Sequence, residues 1–234
     1  MNWKNIKPSD DNTYFLSEGI RISEKKYKQV MKFHEPGLAP VCDDIGWYHI
    51  NTKEEAIYQA RYKLAFGYYC KRASVSDVHN NWYHLTPHGE RAYATNFCWT
   101  GNFQEDLCTI RDTNKQYFHI DLDGNPVYTE LYKYAGDFND GIACVMIDHQ
   151  CFTHIQRNGE PLHGKFYQDI GVYHKGFATA KDAEGWFHID KSGEPLYRER
   201  YAMVEPFYNG TALVENKDWR KIIITSIGEI ALTL

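Results

Sequence analysis

One phrase recurs five times in this chain and restricts its fold more than any other feature. It reads Trp47-Tyr48-His49-Ile50, Trp82-Tyr83-His84-Leu85, Tyr117-Phe118-His119-Ile120, Phe152-Thr153-His154-Ile155 and Trp186-Phe187-His188-Ile189. The histidines lie 35, 35, 35 and 34 residues apart. A fixed period of this length marks a tandem array in which each unit buries its apolar face against its neighbours. Other positions keep the same frame. An aromatic follows each histidine by 13 residues (Tyr62, Phe97, Tyr132, Tyr167, Tyr201), and another stands six residues further on (Tyr68, Phe103, Phe138, Tyr173, Phe207). Five residues after the histidine of units two to five comes a glycine: Gly89, Gly124, Gly159 and Gly193, with Gly228 continuing the row. The sixth unit has Lys221-Ile222-Ile223-Ile224 in place of the phrase. Loss of the signature at an end suits a capping unit.

Within a unit the elements are short. Gly176–Lys181 reads as a strand, Asp182-Ala183-Glu184-Gly185 as its turn, and Trp186–Asp190 as the next strand. Lys191-Ser192-Gly193 is a tight turn, and Pro195-Leu196-Tyr197 begins a third strand. The phrase predicts strands near 46–50, 81–85, 116–120, 151–155 and 185–189. No segment has a sustained helical period with caps. The expected fold is all-β, built from tandem three-stranded β-meanders of about 35 residues in a propeller-like array. An open β-solenoid or spiral is the alternative. Residues 1–13 form a polar N-terminal segment, expected to be loosely ordered, and 14–234 form a single array of about six and a half repeats. The leading half unit is Tyr14–Ile22, and Glu229–Leu232 supplies a last strand at the other end.

The pairs Gly46-Trp47 and Gly185-Trp186, each followed by aromatic, polar and aliphatic residues, resemble the bacterial WG (KWG) repeat family. The resemblance covers 14–234. Other units depart from the pair, with Asn81-Trp82, Gln116-Tyr117, Cys151-Phe152 and Arg220-Lys221. The resemblance implies an all-β repeat protein of bacterial origin and no particular activity.

Composition excludes several partner classes. Net charge is −5 and the pI about 6.1, without the basic stripe that nucleic acid requires. No apolar run approaches the roughly 20 residues of a membrane span. The start lacks the apolar region of a secretory signal, so a cytoplasmic location is expected. Six cysteines occupy unrelated repeat positions, which suits reduced thiols rather than a disulfide or zinc framework.

The histidines His49, His84, His119, His154 and His188 invite two readings. A ring of imidazoles can hold a metal or sense protons. A polar residue locked to one strand position of an apolar pattern more simply makes the same hydrogen bond in each unit. We therefore expect these histidines, with Trp47, Trp82 and Trp186, to form a structural ladder that binds no metal. No catalytic motif is present, and no cofactor is expected. Asp121-Leu122-Asp123-Gly124 is better read as a hairpin turn than as a calcium loop. Residues that vary at constant frame positions offer a binding surface. In units four and five these are Asp137, Asp140, His174 and Lys175, the candidate contacts for a protein or peptide partner. An enzyme or enzyme accessory with its site spread over the loops, and a carbohydrate-binding module, are the alternatives. Neither a nucleic acid nor a membrane is an expected partner.

Overall fold

A computed structural model describes residues 2–234. Apart from one 3₁₀ turn at Trp3–Asn5, its regular structure among these residues is β. By contacts the chain divides into two units. One runs to Lys115 and includes His119–Pro126; the other comprises Gln116–Phe118 and Val127–Leu234.

The first unit opens on a meander of β1 (Ile6–Pro8), β2 (Phe15–Ser17) and β3 (Ile20–Arg21). The leading half unit forms a three-stranded sheet, in which β1 pairs with β2 as the second strand pairs with the third elsewhere (Pro8 with Phe15, as Pro40 with His49). Its missing strand comes from the segment expected to be loosely ordered, where Ile6 and Ser9 are buried. The next sheets are β4 (Gln29–Val30), β5 (Ala39–Cys42) and β6 (Trp47–Ile50), then β7 (Leu64–Tyr69), β8 (Arg72–Ser76) and β9 (Trp82–Leu85). A fourth sheet has β10 (Trp99–Thr100), β11 (Cys108–Arg111) and β12 (Tyr117–Ile120), and the boundary between the units runs through β12.

The second unit repeats the plan. Its sheets are β13 (Tyr134–Ala135), β14 (Ile142–Asp148) and β15 (Cys151–Gln156), then β16 (Asp169–Ile170), β17 (Ala178–Asp182) and β18 (Gly185–Ile189). The last sheet is four-stranded: β19 (Met203–Val204), β20 (Thr211–Glu215), β21 (Lys221–Thr225) and β22 (Ile230–Thr233). The aromatic-histidine phrase is the third strand of its sheet in all five cases.

The phase of the meander differs from the sequence reading. Pro195-Leu196-Tyr197 is not a strand; only an isolated bridge joins Pro195 to Ile189. Proline has no N–H to extend the ladder. The sheet instead begins with a two-residue strand, Asp169–Ile170, too short to show a sequence period. Small residues alternate along five of the middle strands, Ala39/Val41, Ala73/Val75, Ala143/Val145, Ala178/Ala180 and Ala212/Val214, and all are buried. They admit the large aliphatic that follows each ladder histidine (Ile50, Leu85, Ile120, Ile155, Ile189), which is sealed from solvent.

The glycine-tryptophan pair has a local cause. In Gly-Trp units, Cys42 pairs with Trp47 and Lys181 with Trp186, with four residues between them across the turn. In units two and four the partners are Ser76 and Trp82, or Met146 and Phe152, with five residues between them. The tighter turn puts Gly46 at φ +155 and Gly185 at φ +143, and a Cβ there would lie 2.7 Å from the Tyr62 carbonyl or 2.5 Å from that of Tyr201. Asp43 and Asp182 close these turns by accepting backbone N–H bonds, and hold Arg61 and Arg200 over the Tyr48 and Phe187 rings. The shorter hairpin at Gly185 also accounts for the single 34-residue period.

Candidate functional site

Tight hairpins join the first and second strands of the last five sheets, and they carry the variable residues. Bridges close them at Gln104/Leu107, Asn139/Ile142, His174/Phe177 and Tyr208/Thr211. Both central residues have positive φ: Cys70 and Lys71 (47, 59), Glu105 and Asp106 (51, 63), Asp140 and Gly141 (51, 74), Lys175 and Gly176 (51, 91), Asn209 and Gly210 (49, 81). This is the two-residue turn that matches strand twist. The backbone is therefore constant while the side chains change.

In the second unit these turns lie side by side. The Asn139 amide donates to the Tyr173 carbonyl at 3.3 Å. His174 stacks on Tyr208 with centroids 5.7 Å apart and planes 20° from parallel, and Lys175 Nζ lies 5.5 Å above the same ring. His174 and Lys175 are thus brought together around Tyr208, which is 70% exposed. Asp140 is exposed at the tip of the preceding turn, and Asp137 is exposed just before it. Phe138 and Tyr173 point inward and are buried. His174 Nε2 is buried without a hydrogen-bond partner among the described residues.

The first unit has a corresponding row that sequence reasoning did not single out as a site. The His34 ring contacts that of Tyr69, with centroids 4.6 Å apart. His34, Glu35, Tyr69, Cys70, Lys71 and Asp106 line a pocket of about 460 Å³. Burial pushes the Cys70 thiol up, so it is not an activated nucleophile. Burial also lowers the His34 pKa, with Lys32 adding to the effect. The signal for this row was the same frame position, in units given less weight.

The ladder histidines are placed elsewhere. All five are buried. Nε2 of His49, His84, His154 and His188 donates to the carbonyl of Phe66, Gly101, Gly171 and Glu205, at 2.8, 3.0, 2.9 and 2.8 Å. Each acceptor is 17 residues on, at the first strand of the next sheet. That bond fixes the tautomer and leaves Nδ1 as an acceptor. Tyr58, Tyr93 and Tyr197 donate to it from nine residues on, each at 2.5 Å. For His154 the donor is His163 Nε2 at 3.1 Å, itself oriented by the Lys165 N–H donated to its Nδ1. Burial holds His49, His84 and His154 down to about 4, against only partial compensation from the carbonyls, and lowers His188 likewise. Burial raises the three tyrosines. These partners also obey the repeat period, but tyrosine is so frequent here that the row is hard to see without its histidines. Among the described residues no group of three His, Cys, Asp or Glu gathers as a metal site. The tryptophans hold the same frame position, each bridged to the aromatic 15 residues on (Tyr62, Phe97, Tyr201), but differ in burial: Trp47 is buried, whereas Trp82 and Trp186 are partly exposed, Trp186 beneath Lys181.

The WG containing repeat family matches residues 119–148, which include His119, the Gly124 turn and strands β13 and β14. No curated protein matches the chain. Among solved structures, BamB from Moraxella catarrhalis is 10% identical, with a TM-score of 0.52 over 100% of this chain and 86% of its own. The computationally designed Ika8 protein is 6% identical, with a TM-score of 0.52 over 98% and 83%. A eukaryotic initiation factor is 9% identical, with a TM-score of 0.60 over 98% and 72%. At these identities the likeness is one of fold: a propeller-like array of antiparallel sheets.

Proposed function

We propose that this chain, a protein of WG-type repeats, is a binding module without catalysis that holds a protein or peptide partner on its row of hairpin turns. The observation that carries the reading is the cluster of His174, Lys175 and Tyr208, where side chains that differ from sheet to sheet meet on one constant backbone. An exposed ring flanked by a cation is a common anchor for a partner. His174 Nε2, buried and unpartnered, gains a hydrogen bond if the partner brings one. Asp137 and Asp140 add negative charge on the neighbouring turn, and mixed charge favours a polypeptide over a uniformly charged polymer. A pull-down from the native host tests this, repeated with Asp140→Ala and Lys175→Ala combined. A specific partner lost at least tenfold in the double variant is expected, whereas full retention refutes the assignment.

The same reading places the protein in the bacterial cytoplasm. Six cysteines, none of them in a disulfide, support it, and two, Cys108 and Cys144, are buried as small apolar side chains. No helix among the described residues is long and apolar enough to cross a membrane. Fractionation of the host decides the matter, and recovery in the periplasm overturns it.

A further inference from the structure

The first unit contains one place where the repeat leaves a ring out. In sheets two and three the histidine carbonyl accepts a backbone N–H eight residues on (Ile57 to His49, Ala92 to His84), and the next residue is the tyrosine that meets Nδ1. In the leading sheet the connection is one residue shorter: Ile22 N–H, seven residues on, donates to the Phe15 carbonyl, and the next residue is Ser23. Phe15 takes the histidine's place: its ring is 4.9 Å from Phe33, as His49 is 4.8 Å from Tyr68 and His84 is 4.7 Å from Phe103. Ser23 takes the tyrosine's place, with Oγ accepting from Phe15 N–H at 2.8 Å.

The far side of the seat has changed with it. A tyrosine or histidine ring normally lies so close to the next turn that a Cβ on its glycine would fall 2.2 Å from Tyr58 at Gly89, 2.5 Å from Tyr93 at Gly124 and 2.6 Å from Tyr197 at Gly228. Opposite Ser23 that turn position is Glu54, at φ +60. With no ring to displace, a side chain fits. What remains is a pocket of about 460 Å³ whose floor, Phe15, Ser23 and Phe33, is nearly sealed (1%, 6% and 7% exposed), with Ile22 and Glu54 as its sides and Lys25, Lys53 and Glu55 around the mouth.

We propose that this pocket is a binding site for the tyrosyl side chain of a partner polypeptide. The chain itself fills the equivalent seat with a tyrosine at Tyr58 and Tyr93. The Ser23 hydroxyl and the remaining lone pairs of the Glu54 carboxylate supply acceptors for a phenol, beside the bonds Glu54 already accepts from Glu24 N–H at 3.0 Å and from the Tyr27 hydroxyl at 3.4 Å. The rim charges suit a peptide backbone better than a free phenol. The site uses none of the turn residues assigned above, so either proposal can fail alone.

Titration of the full chain with a blocked Gly-Tyr-Gly peptide, followed by NMR, tests it. Saturable binding in the millimolar range is expected, with contacts from the peptide ring to Phe15 and Phe33, and weaker binding of p-cresol and of the Gly-Phe-Gly peptide. The variant combining Ser23→Tyr with Glu54→Gly restores the repeat's own ring and should weaken peptide binding at least tenfold while raising the melting temperature. The combined Asp140→Ala and Lys175→Ala variant should bind as the parent does. Absence of ring contacts to Phe15 and Phe33 in the parent overturns the proposal, whatever the variant's stability. So does undiminished binding by a folded Ser23→Tyr, Glu54→Gly protein, or binding of p-cresol alone.

Discussion

A histidine in this array is held at both ring nitrogens, and the two bonds do different work. The Nε2 bond ties one sheet to the next, and the Nδ1 bond ties the sheet to the connection that leaves it. Removing the tyrosine hydroxyl strands a buried acceptor. Tyr93→Phe should therefore destabilise by about 1–3 kcal/mol, more than the same change at an exposed tyrosine such as Tyr208. Urea denaturation of both variants checks this, and equal midpoints would show that the bond contributes nothing. Trp47→Ala, which empties a buried site, should cost about 3–5 kcal/mol, and Trp186→Ala clearly less because its ring is partly solvated. The histidines and tryptophans were legible as a row because both residue types are uncommon. Their unequal burial was not, since it depends on what each hairpin brings over the ring.

At the scale of the element, the two kinds of hairpin make opposite demands. Between first and second strands the backbone needs positive φ twice but leaves the side chains in solvent. Between second and third strands of a Gly-Trp unit the glycine faces a carbonyl. Gly185→Ala should thus cost about 2 kcal/mol or more, from strained φ and from contact with the Tyr201 carbonyl. Lys71→Gly, by contrast, relieves a left-handed lysine and should raise stability by up to about 1 kcal/mol. Thermal melts of the two variants should move in opposite directions. The strand positions of the phrase were readable from period and residue type. The strands before it were not, because two residues carry no alternation. Pro195 reads as a strand start because its neighbours have β character, yet it reaches only a single bridge.

For the whole molecule the repetition of one buried base makes folding sensitive to acid. Unfolded histidines take up a proton near pH 6.5, but His49, His84 and His154 resist until about 4. Between these values the unfolded chain binds more protons, so stability falls as pH falls. It is complete above about 6.5 and reaches its floor below about 4. Each of the three contributes about 3 kcal/mol to the loss, and His188 adds in the same direction. Their sum is comparable with the stability of an ordinary domain. Acid should thus unfold the protein within that window, followed by circular dichroism, and His84→Leu should move the midpoint to lower pH. A protein that stays folded through pH 4 would show that these histidines are not neutral by burial.

The sequence by itself determined the repeat, the residue that seals each sheet and the strand that carries the phrase. These depend on local pattern, and a pattern written several times over rises above chance. Tertiary structure decided which partner each histidine takes, which turn residues meet, and that residues 6–8 complete a sheet. It also decided that Ser23 and Glu54 face one another across an unfilled seat. Those facts depend on pairs of residues seven to 35 positions apart whose meeting is set by how strands pair and sheets stack, and stacking is a property of packed surfaces rather than of any one segment.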